Sequence, residues 1–162
     1  MPEPPASFAE FLQRKILPNV QRIALLITVV GLAFRALHYA GASELLMIGL
    51  STLAITVFFM ALIPVHIPAG CNPDWYATII FKIIYIGSAV GVTGTLFHFL
   101  KLQGAENILL IGCASIGAAL IAAAILVVKT KDNWIVLKDA IIRGGGLFLL
   151  SVYMMWQTSI LL

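Results

Sequence analysis

Charge is scarce in this chain. Ten Lys and Arg and seven Asp and Glu are all that 162 residues carry, while 61 % are hydrophobic and mean hydropathy is +1.04. A water-soluble domain holds roughly 25 % charged residues, so an ordinary soluble globule and a disordered chain are both excluded. Acidic residues are missing from the middle of every apolar run. Ion-driven pumps and motors need an ionisable group at that depth, and in the second run the only polar cluster at depth is Ser51, Thr52 and Thr56. Hydroxyls of that kind can bond to their own helix backbone. Cysteine is limited to Cys71, in a Pro-rich segment, and Cys113, in an apolar run. The two make no redox or metal motif. No catalytic signature and no nucleic-acid-binding pattern is found.

What the chain does have is long apolar runs. Each crossing of a bilayer takes about 20 such residues, and the runs predict five spans: about Val20–Tyr39, Leu45–Ile63, Tyr76–Leu100, Ile108–Val128 and Ala140–Leu161. The expected fold is an all-α polytopic membrane protein with about five transmembrane helices, a duplicated two-helix hairpin plus one extra helix. Its segments are an interfacial N-terminal helix (1–18), a first hairpin (19–63), a cytoplasmic loop (64–75), a second hairpin (76–128), a second cytoplasmic loop (129–139) and a fifth helix (140–162). Ser7 and Glu10 form an S-x-x-E capping box for the interfacial helix. No signal-peptide cleavage pattern follows, so the first span is expected to remain in the mature protein.

Placement of the basic residues sets orientation. With the N-terminus inside, Arg14, Lys15, Arg22, Lys82, Lys129, Lys131, Lys138 and Arg143 fall on the inner side, and only Arg35 and Lys101 on the outer. The positive-inside rule then predicts a cytoplasmic N-terminus. Arg22, Arg35, Lys82 and Arg143 lie near span ends, where long basic side chains are expected to snorkel out to the interface.

The two hairpins align when the chain is shifted by 63 positions: residues 31–49 and 94–112 share eight identities in 19 positions. Gly31 meets Gly94, Gly41-Ala42 meets Gly104-Ala105, and Ile48-Gly49 meets Ile111-Gly112. Each copy holds two spans, so the copies are parallel and favour a pseudosymmetric four-helix unit with the fifth helix added. Gly41 can take a left-handed helix cap and Ser43 can cap the following helix. Gly87 and Gly91 form a small-xxx-small face for close helix approach. The fourth span is small on nearly every side (GCASIGAALIAAA, 112–124), which predicts that it is the central helix.

Polar residues at the turns are the candidate contacts. Arg35, His38 and Glu44 flank the first turn, and His98, Lys101 and Glu106 the second. The functional reading is an outer rim that meets a partner; the plainer one, that these residues mark where helices leave lipid, is favoured. Two histidines can clamp a haem, which makes His38 and His98 weak candidates, but they do not correspond under the shift. His66, Cys71 and Asp74 share the loop 64–75 without a second ligand pair, too little for a zinc site. No cofactor and no metal is expected.

The run Phe34-Arg35-Ala36-Leu37-His38-Tyr39-Ala40-Gly41-Ala42, followed by Leu45-Leu46-Met47-Ile48-Gly49-Leu50, resembles the F-K-x-x-H-W-x-G-A … L-x-x-G-L motif of GldL, the gliding-motility membrane subunit of Bacteroidota. The resemblance implies two spans joined by a periplasmic turn, a cytoplasmic N-terminus and a bacterial inner membrane. It covers about residues 22–62, with 85–125 as a degenerate second copy, and not the fifth span. That family places an acidic residue in a G-L-x-T-E-A pattern, thought to carry protons. Here the pattern is Gly49-Leu50-Ser51-Thr52-Leu53-Ala54, so Leu53 takes the acidic position and Ile116 the corresponding one in the second copy. The family's large cytoplasmic domain has no counterpart. The expected role is a non-catalytic accessory, scaffold or assembly subunit, in contact with lipid and with other integral membrane subunits. The alternatives are a small transporter or channel, or a haem-carrying subunit.

Overall fold

A long apolar run away from water can satisfy its backbone only as a helix or a closed barrel. The computed structural model describes residues 16–63, 74–129 and 131–160, and all of its regular structure is helical. The helices are α1 (Leu17–Ala36), α2 (Ala42–Leu62), α3 (Trp75–Phe99), α4 (Ala105–Lys129) and α5 (Lys131–Ile160). The interfacial helix expected at 1–18 falls almost wholly outside the described residues, as does most of the loop expected at 64–75. Pro18 sits in the first turn of α1, where its missing N–H costs no hydrogen bond.

Helices α1 to α4 are each long and apolar enough to cross a membrane. Their outward faces carry large apolar side chains such as Leu26, Phe59, Ile121 and Ile125, which suit contact with lipid tails. The chain is thus an all-α polytopic membrane protein. Helix α5 is diluted by Lys138, Asp139 and Arg143. At 30 residues it is about 45 Å long, well beyond a hydrocarbon layer of about 30 Å. It begins at Lys131, inside the segment 129–139 that the charges marked as a loop. The reason is docking: Val136, Leu137 and Ala140, spaced for one helix face, are buried.

Packing follows chain order. Helix α1 packs against α2, α2 against α3, and α3, α4 and α5 against one another. No extensive α1–α4 contact closes the four hairpin helices into a ring among the described residues. Helix α5 takes the place beside α3 and α4 instead. The centre of the bundle is α3 rather than α4: 56 % of its apolar stretch is buried, against 28 % for α4. Small residues do not need burial in lipid, and Ala114, Ala118 and Ala124 of α4 face outward.

The two hairpin seams are alike position by position. Buried on α2 are Ala42, Leu46, Gly49, Leu53, Thr56 and Met60, and on α4 Ala105, Leu109, Gly112, Ile116, Ala119 and Ala123. Every member of the second set lies 63 positions after a member of the first. Alternating steps of three and four make this a left-handed, coiled-coil-like seam. Facing it on α1 are Leu17, Gln21, Ala24, Thr28 and Gly31.

Candidate functional site

The outer turns are built by backbone. In the first, the N–H groups of Leu37, His38 and Tyr39 donate to the carbonyls of Ala33, Arg35 and Phe34; in the second, those of Leu100, Lys101 and Leu102 donate to Leu96, His98 and Phe97. His38 and Lys101 have φ of 56° and 54°, and Gly41 and Gly104 87° and 81°. Each turn therefore needs two left-handed residues, of which glycine supplies only the second without strain. Gly41 itself is the N-cap of α2, and no side chain caps that helix, so Ser43 does not do so.

The sequence-derived rim residues are set around these turns. Arg35, His38, Glu44, Lys101 and Glu106 are exposed and His98 is half-buried. His38 stands in the turn itself, whereas His98 is on the last turn of α3 beside Phe99. A contact between the two hairpins lies here: the Arg35 guanidinium is 4.8 Å from the centre of the Phe99 ring. Arg35 therefore rests on a neighbouring helix instead of only marking the edge of lipid. Glu44 and Glu106 occupy the first turns of α2 and α4, where the helix dipole favours a carboxylate. The two acids are out of step by one position, since Glu44 corresponds to Asn107 and Glu106 to Ser43.

Beneath the turns, glycines bring backbones together. A Cβ on Gly31 would meet the Leu46 side chain and amide at 3.0 and 3.1 Å, and one on Gly94 would meet the Leu109 amide at 2.7 Å. A Cβ on Gly49 would stand 2.6 Å from Thr28 Oγ1, and one on Gly112 2.6 Å from the Gly91 backbone. A Cβ on Gly87 would lie 3.2 Å from Ile116, and one on Gly91 2.9 Å from Ser151 Oγ of α5. The deep hydroxyls are spent locally: Thr28, Thr56 and Thr95 each donate to the carbonyl four residues earlier, at 2.8, 2.7 and 2.9 Å. Ser88 Oγ on α3 is buried without a partner among the described residues. On the outside, α2 and α3 leave an apolar groove of about 490 Å³ between Phe58, Phe59, Ile86 and Val90.

A second polar site lies toward the other end of the bundle, and the sequence reading missed it. Arg143 of α5 is only half-exposed. Its Nη1 donates to Gln21 Oε1 of α1 at 3.0 Å and lies 3.9 Å from Met60 Sδ of α2. The Tyr85 hydroxyl of α3 is a further polar neighbour. Four helices thus meet at one guanidinium. Snorkelling, the behaviour expected of this residue, is not what it does. The available signal was Gln21, which interrupts the buried stripe Leu17, Ala24, Thr28, Gly31 at its own period.

A loose ion pair lies at the same end, Lys129 Nζ to Asp74 Oδ2 at 3.9 Å, with Lys129 mostly in solvent and Asp74 half-buried. Exposed pairs of this kind contribute little stability. Cys113 is buried as a free thiol. No group of three or more metal-ligating side chains occurs among the described residues.

These features define a helical membrane protein with a tightly packed interior and two small polar sites, one at each end. Comparison with family models, with curated proteins and with solved structures finds no match.

Proposed function

We propose that this chain is a non-catalytic subunit of a larger membrane complex, an accessory, scaffold or assembly factor in a bacterial inner membrane. The observation that carries the reading is the closure of the interior. A Cβ on Gly112 would come within 2.6 Å of the Gly91 backbone, which leaves no space between α3 and α4 for an ion or solute path. The deep threonines bond to their own helices. Leu53 and Ile116, which stand where the resembled motor family has its carboxylate, are wholly buried in the two seams. Such a body offers neighbours a rigid, apolar surface and moves nothing through itself.

Two further parts belong to the proposal. The hairpins descend from one duplicated unit; the seam and turn residues that recur after 63 positions support this. The N-terminus faces the cytoplasm; the division of basic residues supports it.

The test is affinity purification of the full chain from native membranes in mild detergent, with identification of what is retained. Stoichiometric recovery of other integral membrane proteins is the expected result. Recovery of the chain alone, together with solute or ion transport after reconstitution, would replace the reading with the transporter.

A further inference from the structure

We infer that Arg143 is the centre of a phosphate-type anion site, one that takes the headgroup phosphate of an acidic phospholipid or a free phosphate ion. A guanidinium carries five N–H donors and no acceptor. Here its hydrogen-bond partners among the described residues are a neutral amide oxygen and a thioether sulfur, with the Tyr85 phenol a further polar neighbour. No carboxylate lies within 4.0 Å of it among the described residues; the ion pair found there joins Lys129 and Asp74. The carboxylate nearest in sequence, Asp139 one turn earlier on α5, is exposed and stands outside ion-pair distance, so no counter-charge is bound to the guanidinium among the described residues. A two-oxygen anion supplies one, and matches the planar fork of donors.

The surroundings fit such a group. Arg22 follows Gln21 on α1, and Lys82 lies one turn before Tyr85 on α3, so two further cations adjoin the same residues. Arg22 is exposed and Lys82 half-buried, and both add positive charge to this end of α1 and α3. Gly146, one turn along α5 from Arg143, has nothing within 4 Å of where a Cβ would stand. Bulk is thus absent on the face that carries the guanidinium. Gln21 and Met60 both engage Nη1, and a guanidinium has further N–H donors to offer an anion.

The full chain in mild detergent would be titrated with phosphatidylglycerol, with phosphatidylcholine and with inorganic phosphate. Thermal midpoint and bound lipid by native mass spectrometry are the readouts. Phosphatidylglycerol, and not phosphatidylcholine, should raise the midpoint saturably. Arg143→Gln should weaken that binding by about tenfold or more. Arg22→Gln, an exposed change that cannot disturb the fold, should weaken it by a smaller factor. Arg143→Lys, which keeps the charge but loses the fork, should fall between wild type and Arg143→Gln. A response to inorganic phosphate that also displaces the lipid would assign the site to phosphate itself; a response to lipid alone would assign it to the headgroup. Equal lipid binding by wild type, Arg143→Lys and Arg22→Gln would overturn the inference and leave Arg143 as a purely structural tie between α5 and α1.

Discussion

Gly94 lets α3 approach α4 until a Cβ on it would stand 2.7 Å from the Leu109 amide, and 63 residues earlier Gly31 stands in the same relation to Leu46. The approach of Gly94 is the tighter: from Gly31 the corresponding Leu46 amide is 3.1 Å away. The same order holds one layer deeper, where Gly112 faces Gly91 but Gly49 faces the larger Thr28. Alanine substitutions should therefore be graded. Gly112→Ala pushes against backbone and should destabilise the bundle by about 1–3 kcal/mol. Gly49→Ala must displace the Thr28 hydroxyl and should fall in the same range. Gly145→Ala, where nothing lies within 4 Å, should be neutral or stabilising by up to about 1 kcal/mol. Thermal unfolding in detergent measures all three, and a Gly112→Ala protein as stable as wild type would refute the seam geometry.

The turns offer a prediction of opposite sign. His38 and Lys101 hold left-handed backbone with side chains that disfavour it. His38→Gly and Lys101→Gly should each stabilise the protein, by about 1 kcal/mol at most. Gly41→Ala and Gly104→Ala should cost about 1–2 kcal/mol from backbone strain alone, since a methyl group at either position meets no neighbour. The comparison by thermal midpoint is internal to each turn.

Orientation can be read by labelling. Cysteines introduced for the exposed residues Lys101 and Glu106 should react with a membrane-impermeant maleimide applied to intact cells, and a cysteine in place of Lys129 only after lysis. The reverse pattern would invert the proposed topology. Cys113 is buried and should remain silent in this assay.

Reconstituted protein should leak no more protons than empty liposomes under an imposed potential. Flux well above that background and sensitive to Thr56→Val would point to a path along α2. Leu53→Glu should not create flux, because its position is enclosed in the α1–α2 seam; it should instead destabilise the protein, an unpaired buried charge being costly.

Helix existence was legible because lipid imposes length and apolarity together, and the turns were legible because Gly-Ala recurs where the chain must reverse. Three features were not. The start of α5 was hidden because Lys138 and Asp139 look like loop residues, whereas Leu137 and Ala140 before and after them dock the helix. The central position of α3 was hidden because alanine and glycine mark a helix that can be approached closely, and do not say whether protein or lipid does the approaching. The Arg143 site was hidden because it joins residues from four helices, and its meaning depends on which face of α1 Gln21 occupies. Once the stripe of α1 is drawn with period 3.5, Gln21 is seen to point inward and to need a donor.

Helix α1 has α2 as its one extensive neighbour, where α3 has three. Opening free energy in a folded chain scales with what must be separated. Amide hydrogen exchange should therefore run in order, fastest in α1 and slowest in the middle of α3, with the Gln21–Arg143 bond acting as the latch at one end of α1. The helix that separates most readily in this sense is also the one that a neighbouring subunit could replace without disturbing the rest.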